Sequence, residues 1–260
     1  MNLRDLNIIF IGAGNLAANL AKALHSKGYH ISQVYSRTEL SAKTLATMIS
    51  ADYTTVPEDI INSADLYIVS LKDSAFEELL PKITVGKQQA LIVHTAGSIP
   101  MDIFRNIMPR YGVLYPMQTF SKQREVCFDS IPFFVEANNT TDLELLKELA
   151  QTLSNKVYEA SSEQRRYLHL SAVFACNFTN HMYALCEVLL KKHNLPFEVM
   201  LPLIDETARK VHELSPKQAQ TGPAIRYDEN VINKHLDLLA DNQEMQQLYE
   251  LISKSIHELQ

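Results

Sequence analysis

The residues best placed for chemistry stand near the amino terminus. Gly12, Gly14 and Ala17 fall in the run N-I-I-F-I-G-A-G-N-L-A over residues 7–17. A short apolar, β-branched run breaks into glycine and restarts as a helix, which is how a dinucleotide-binding βαβ unit opens. Gly12 permits the tight turn, and Gly14 has no side chain to keep a pyrophosphate from the backbone. Ala17 is small where a third glycine often stands, so helix and strand pack closely. With Asn15 and Leu16, these residues form a helix start whose free N–H groups and positive dipole end suit phosphate. A second cluster, Ser36-Arg37-Thr38, closes the next strand. A site that prefers NAD places Asp or Glu about 20 residues past the glycines to hold the ribose 2′-hydroxyl. Here two hydroxyls flank a guanidinium, a set that suits the 2′-phosphate of NADP.

Further candidates follow along the chain. Leu71-Lys72 and Thr95-Ala96-Gly97 end two later apolar runs, at the carboxyl edge where such sheets bind ligands. Leu71 and Lys72 read as cofactor contacts, and Thr95 and Gly97 as substrate contacts beside the nicotinamide half. His94, just before them, reads equally as a packed strand residue or a functional one. On a long expected helix, at about 100° per residue, His169, Val173, Cys176 and Asn180 fall within about 60° of one another, with Asn177 on the shoulder. His169 has the pKa range for proton transfer, and two amides can orient a carbonyl. These three are the catalytic candidates. The same stripe also reads as a polar seam joining helices or subunits. The 218–228 loop offers Thr221 and Arg226 as substrate contacts around Gly222-Pro223. It would complete a cleft in its own or the partner subunit, or simply connect two helices.

Hydrophobic patterning supplies the elements that position these residues. Strands are expected at 7–11, 31–35, 52–54, 66–71, 90–94, 112–117, 132–136 and 156–159, with helices at 16–26, 38–50, 75–80 and 142–153. The 38–50 helix is expected to bury Leu40, Leu45, Ala46 and Ile49. This alternation is an α/β, doubly wound sheet. From Ser161 onward no strand is evident. Ser161 and Gln164 form a capping box that opens a helix to about residue 192, roughly 30 residues or 45 Å. Further helices are expected over 198–214, bent near Pro202, then 228–239 and 244–257. The domain boundary is expected near residue 160.

The 260 residues suffice for about two domains. A net charge of −6 argues against a broad nucleic-acid surface. Cys127, Cys176 and Cys186 have no metal-binding spacing, and their odd number suits a reducing, cytoplasmic compartment. The start carries Arg4 and Asp5 and runs straight into the first strand, unlike a signal peptide. No apolar run has the length of a membrane span. The long helix is apolar around most of its circumference, through Leu170, Val173, Phe174, Met182, Leu185 and Leu189. Such a helix is buried on several sides, which predicts a homodimer through the helical region.

A Rossmann domain over 1–160 followed by an all-helical domain over 161–260 resembles the 6-phosphogluconate dehydrogenase-like superfamily. The strings L-Y-P-M-Q-T-F-S (114–121), L-H-L-S-A-V-F-A-C-N-F-T-N-H (168–181) and Q-T-G-P-A-I-R-Y-D (220–228) are similar to an uncharacterised Rossmann-like NADP oxidoreductase family with a C-terminal domain of unknown function. The resemblance implies hydride transfer between NADP(H) and a small carbonyl, imine or related substrate. Tyr115-Pro116-Met117 resembles the His-Pro-Met run of prephenate dehydrogenases, with tyrosine for histidine. The β-hydroxyacid dehydrogenases of the superfamily carry a lysine four residues before a helix asparagine. Here Val173 precedes Asn177 and Cys176 precedes Asn180 at that spacing, so lysine-assisted chemistry is not implied. An NADP-binding sensor on a reductase scaffold and a deazaflavin-linked NADP reductase both stay open.

Overall fold

The computed structural model describes residues 3–121, 124 and 126–259. The chain divides into two compact units, Met1–Cys176 and Asn177–Gln260. The division falls inside the long helix, later than the change of pattern near residue 160, because the first turns of that helix are anchored to the sheet.

The first unit is built on an eight-stranded sheet of order β3-β2-β1-β4-β5-β6-β7-β8. The strands are β1 (Asn7–Ile11), β2 (His30–Tyr35), β3 (Asp52–Thr54), β4 (Leu66–Val69), β5 (Leu91–His94), β6 (Tyr111–Pro116), β7 (Phe133–Ala137) and β8 (Val157–Glu159). The central strands bury both faces, so they are almost continuously apolar. Helices α1 (Asn15–Ser26), α2 (Glu39–Met48), α3 (Phe76–Ile83) and α4 (Thr140–Gln151) pack against them. One apolar core gathers Phe10, Leu20, Ile68 and Leu146, and a second gathers Ile9, Tyr67, Phe76 and Phe104.

One pairing departs from the parallel run, and one expectation changes. Strand β7 runs antiparallel to β6, since the described part of the 117–132 connection carries no helix to return the chain for parallel pairing. The crossover helix α4, N-capped by Asn139, comes only afterwards and makes β7 and β8 parallel. Leu40, expected in the core, is 80% exposed. The buried stripe of α2 is Ala42, Leu45, Ala46 and, just beyond it, Ile49, a complete i, i+3, i+4, i+7 set that leaves Leu40 facing outward.

The expected single long helix is three segments. α5 (Ser162–Ala172) begins at the predicted Ser161–Gln164 capping box, a π-helical turn spans Val173–Phe178, and α6 (Thr179–Lys192) follows. The wider π turn bonds i to i+5 and breaks the 100° register. The stripe computed for His169, Asn177 and Asn180 therefore does not hold as one face.

The second unit continues with α7 (Leu201–Glu213), α8 (Pro216–Ala219), α9 (Glu229–Leu238) and α10 (Gln243–Glu258). Pro202 stands in the first turn of α7, where a 3-10 turn over Phe197–Met200 hands over to it. The expected 215–227 loop holds the short α8 with its own capping box, Ser215–Gln218. Neither α6 nor α7 has a buried residue within the chain. Among the described residues no helix is long and apolar enough to cross a membrane.

Candidate active site

The β1–α1 turn forms as its sequence requires. Gly12 has φ +116° and its N–H donates to the Tyr35 carbonyl at 2.8 Å. A Cβ at Gly12 would lie 2.1 Å from the Ser70 carbonyl oxygen and 3.6 Å from Leu71 Cδ2, so the turn nests against the end of β4. Around Gly14 a Cβ would meet nothing within 4 Å. Gly14 and Asn15 are exposed, Leu16 is half-buried and Ala17 is fully buried under α1. No side chain caps this helix start, which leaves its first N–H groups for an anion. The Asn15 side chain is already engaged. Its Nδ2 donates to the Phe120 carbonyl at 3.0 Å, and the Nδ2 of Asn19 donates to that of Ser121 at 3.1 Å. Asn15 thus serves a phosphate through its backbone and ties down the segment after β6 with its side chain.

At the end of β2, the Ser36 N–H donates to the Thr54 carbonyl at 3.2 Å. Arg37 and Thr38 are exposed. Thr38 is the N-cap of α2, yet its hydroxyl makes no capping bond. Two hydroxyl residues and an arginine therefore stand in sequence at the start of a helix. Lys72 is exposed and Leu71 half-buried at the end of β4. Open space over Gly14, the close-packed Gly12 and this cationic β2 end together fit a dinucleotide carrying a 2′-phosphate.

The tail of β5 is held from beneath. His94 is fully buried between Phe76 and Phe104. Its Nδ1 accepts from the Ala96 N–H at 3.2 Å. Its Nε2 is buried without a hydrogen-bond partner among the described residues. Burial, with the Arg165 charge second, lowers its pKa to about 3, so the ring is neutral and structural. Thr95 is buried, and its N–H donates to the Val69 carbonyl at 3.1 Å.

Arg165 of α5 is 0% exposed. Its Nε donates to the Ala96 carbonyl at 3.1 Å and its guanidinium pairs with Glu136 of β7 at 2.6 Å. Further bonds reach the Ile99 carbonyl and the Ser162 hydroxyl. Glu136 also accepts from the Ser162 N–H and hydroxyl, at 2.9 and 2.7 Å. A buried ion pair survives only when its remaining polar atoms are satisfied, and this network meets that condition.

One turn further along α5, His169 packs on Gly97. A Cβ at Gly97 would lie 2.7 Å from His169 Nδ1 and 2.8 Å from its Cβ and Cγ. The same Nδ1 is 3.3 Å from the Tyr115 hydroxyl of β6. Burial pushes the Tyr115 phenol up, opposed by the Arg165 charge. The β5 tail and α5 therefore meet in a tight, polar contact.

Of the sequence candidates, Gly97 and His169 are brought together, as are Gly12 and Leu71. Asn177, Asn180, Thr221 and Arg226 belong to the second unit. Asn177 lies in the π turn, and all four are exposed. Tyr115, Glu136 and Arg165 were missed as a functional group. No local pattern marks them, since Arg165 stands in the polar run E-Q-R-R-Y.

A family model described as "NADP oxidoreductase coenzyme F420-dependent" matches residues 7–97, and "Domain of unknown function (DUF2520)" matches residues 131–256. A solved structure from Bacteroides fragilis, provisionally named an NADP oxidoreductase, is 67% identical with TM-score 0.96, covering 99% of this chain and 100% of its own. A Thermotoga maritima protein is 22% identical with TM-score 0.81 over 96% of this chain and 98% of its own. An imine reductase from Myxococcus stipitatus, solved with NADP+, is 15% identical with TM-score 0.65 over 97% and 92%. The last two share the fold. No curated protein matches the chain.

Proposed function

On the premise that the chain belongs to the NADP oxidoreductase family of the Bacteroides fragilis protein, we propose that it moves hydride between NADP(H) and a small carbonyl, imine or related substrate. One observation carries the reading: His169 packs on Gly97, at the carboxyl edge of the same sheet whose β1 turn is open over Gly14. In this reading the first N–H groups of α1 hold the pyrophosphate. Ser36, Arg37 and Thr38 hold the 2′-phosphate, with Leu71 and Lys72 along the dinucleotide. When bound, NADPH supplies the hydride. Thr95 and Gly97 shape the floor beside the reacting carbon. His169 donates a hydrogen bond from Nε2 to the substrate's oxygen or nitrogen, where negative charge gathers as hydride arrives. The proton that balances the hydride comes from water.

The test is a panel of carbonyl and imine compounds followed by NADPH absorbance. His169→Ala should cut kcat by about a hundredfold, the usual scale for losing one such donor, and leave NADPH affinity nearly unchanged. Full turnover in that variant overturns the role. Alanine variants of Asn177, Asn180, Thr221 and Arg226, read from the sequence as catalytic or substrate-contacting, take the same assay. Each should raise KM or lower kcat without changing NADPH affinity, and unaltered kinetics would remove that residue from the site.

We also propose a homodimer through the second unit. No residue of helices α6 and α7 is fully buried within the chain, and Val188, Val199, Leu203 and Val211 are exposed. A cavity of about 420 Å³ in that unit is lined by Met182, Leu185, Leu189, Leu239, Leu248 and Ile252. Apolar surface of this extent is covered in stable proteins, and a two-fold copy is the commonest cover. A monomer by light scattering at micromolar concentration would refute it.

A further inference from the structure

We propose that Tyr115 is a positioning residue that holds the proton of the His169 imidazole on Nε2. The proposal rests on the reading of His169 as the hydrogen-bond donor to substrate, and adds what makes it a donor.

A neutral imidazole carries one N–H, and the partner of one nitrogen decides which nitrogen bears it. The Tyr115 hydroxyl stands 3.3 Å from His169 Nδ1. Tyr115 is 7% exposed, so water cannot readily replace a missing partner. Among the described residues, Nδ1 is the phenol's hydrogen-bond partner. If Nδ1 carried the proton, it would donate to the phenol oxygen and leave the phenol's own proton without an acceptor. Buried polar groups are satisfied in nearly every case. With the phenol donating, the Nδ1 lone pair and the phenol proton are both used. Burial pushes the Tyr115 phenol up, with the Arg165 charge opposing it, so the phenol keeps the proton that it donates to Nδ1.

Packing restricts the ring as well. A Cβ at Gly97 would lie 2.7 Å from Nδ1, so glycine is what lets the imidazole approach this closely. The rings of Tyr115 and His169 lie 6.4 Å apart at 68°, an edge contact that leaves the phenol directed at Nδ1. The Nδ1 edge is thus enclosed by Gly97 and Tyr115. A flipped ring would set a C–H before the phenol and lose the bond. In its neutral form the ring therefore presents an N–H at Nε2 before any substrate arrives.

The test uses the full chain labelled with nitrogen-15. Long-range proton–nitrogen spectra at neutral pH report the tautomer of each histidine, and the His169 signals are those lost in His169→Gln. In the wild type the Nε2–H form should dominate by about tenfold or more, the scale of one net hydrogen bond. Tyr115→Phe keeps the aromatic packing and removes the hydroxyl, and there the ratio should fall severalfold toward a mixture. A wild-type ring protonated on Nδ1 overturns the proposal without any variant, whether or not Tyr115→Phe folds. An unchanged ratio in a folded Tyr115→Phe protein also overturns it. Failure of the donor reading is separate: the Nε2–H form would be seen, while His169→Ala kept full turnover.

Discussion

The two units of this chain solve the burial problem differently. In Met1–Cys176 a sheet is covered on both faces, and Phe10, Ile68, Tyr67 and Phe76 are wholly enclosed. Among the described residues of Asn177–Gln260 the buried apolar ones are Ala224, Ile232, Leu239 and Met245, while Leu203 of α7 is 58% exposed. Both units are helix-rich and similarly apolar in sequence. The sheet makes the difference, since it gives helices two flat faces to pack on, whereas a few helices alone leave outer stripes uncovered. The first unit therefore encloses its own apolar residues, and the second leaves more of its apolar side chains exposed, the surface that the proposed homodimer would cover.

The contrast can be broken most forcefully at Glu136. Glu136→Ala strands the Arg165 guanidinium, which is wholly buried, and should cost about 3–5 kcal/mol in urea unfolding. Replacing both by apolar residues of similar size, Arg165→Met with Glu136→Leu, should recover most of it. A loss under about 1 kcal/mol for Glu136→Ala, the range of exposed pairs, would mean that the anchoring of α5 is not what binds it to the sheet.

His94 gives the next effect. Its pKa in the folded chain is lowered from 6.5 to about 3. Below pH 6.5 the unfolded chain takes up a proton that the folded chain refuses, so stability falls as pH falls, throughout the window from 6.5 to about 3. The slope should approach about 1.4 kcal/mol per pH unit once the unfolded histidine is charged. Acid titration of stability followed by circular dichroism should show this slope, reduced in His94→Phe. The same curve in both proteins would sharpen the comparison differently, placing the acid-sensitive group elsewhere.

Arg37→Ala addresses the ligand edge of the first unit. NADPH affinity should drop about tenfold, near 1.4 kcal/mol, and NADH affinity should hold. Calorimetric titration showing equal losses for both cofactors would remove Arg37 from the 2′-phosphate.

The smallest effect on folding is expected in the second unit. Under dilution to monomer, Leu203→Asn should change stability by no more than about 0.5 kcal/mol, as at a free surface. At micromolar concentration the same variant should scatter as a monomer where the wild type scatters as a dimer. A larger folding loss would mean that α7 is packed within one chain and that the contrast between the units is overstated.

Much of the first unit was legible in the sequence, because a strand buried on both faces is written as an uninterrupted run such as Leu66–Val69. The glycine turn was legible because Gly12 alone tolerates φ +116° against the Ser70 carbonyl. The site beyond it was less so. Tyr115 and His169 lie 54 residues apart, and no local pattern announces such a pair. Arg165 stands in E-Q-R-R-Y, which reads as a solvated helix face, and only the fold turns one of its two arginines inward. The π turn at Val173–Phe178 has no distinctive residue types, so a uniform 100° register run through it makes the His169–Asn180 stripe too straight.

The hold of Arg165 on the carbonyls of Ala96 and Ile99 has a kinetic consequence. A loop pinned from the interior has lost its conformational freedom during folding, so that loss is not charged again to ligand association. Stopped-flow mixing with NADPH should then give one exponential phase whose rate rises in proportion to cofactor concentration. It should show no plateau from a slow loop closure, because this stretch of the site is already in its final shape when the dinucleotide arrives.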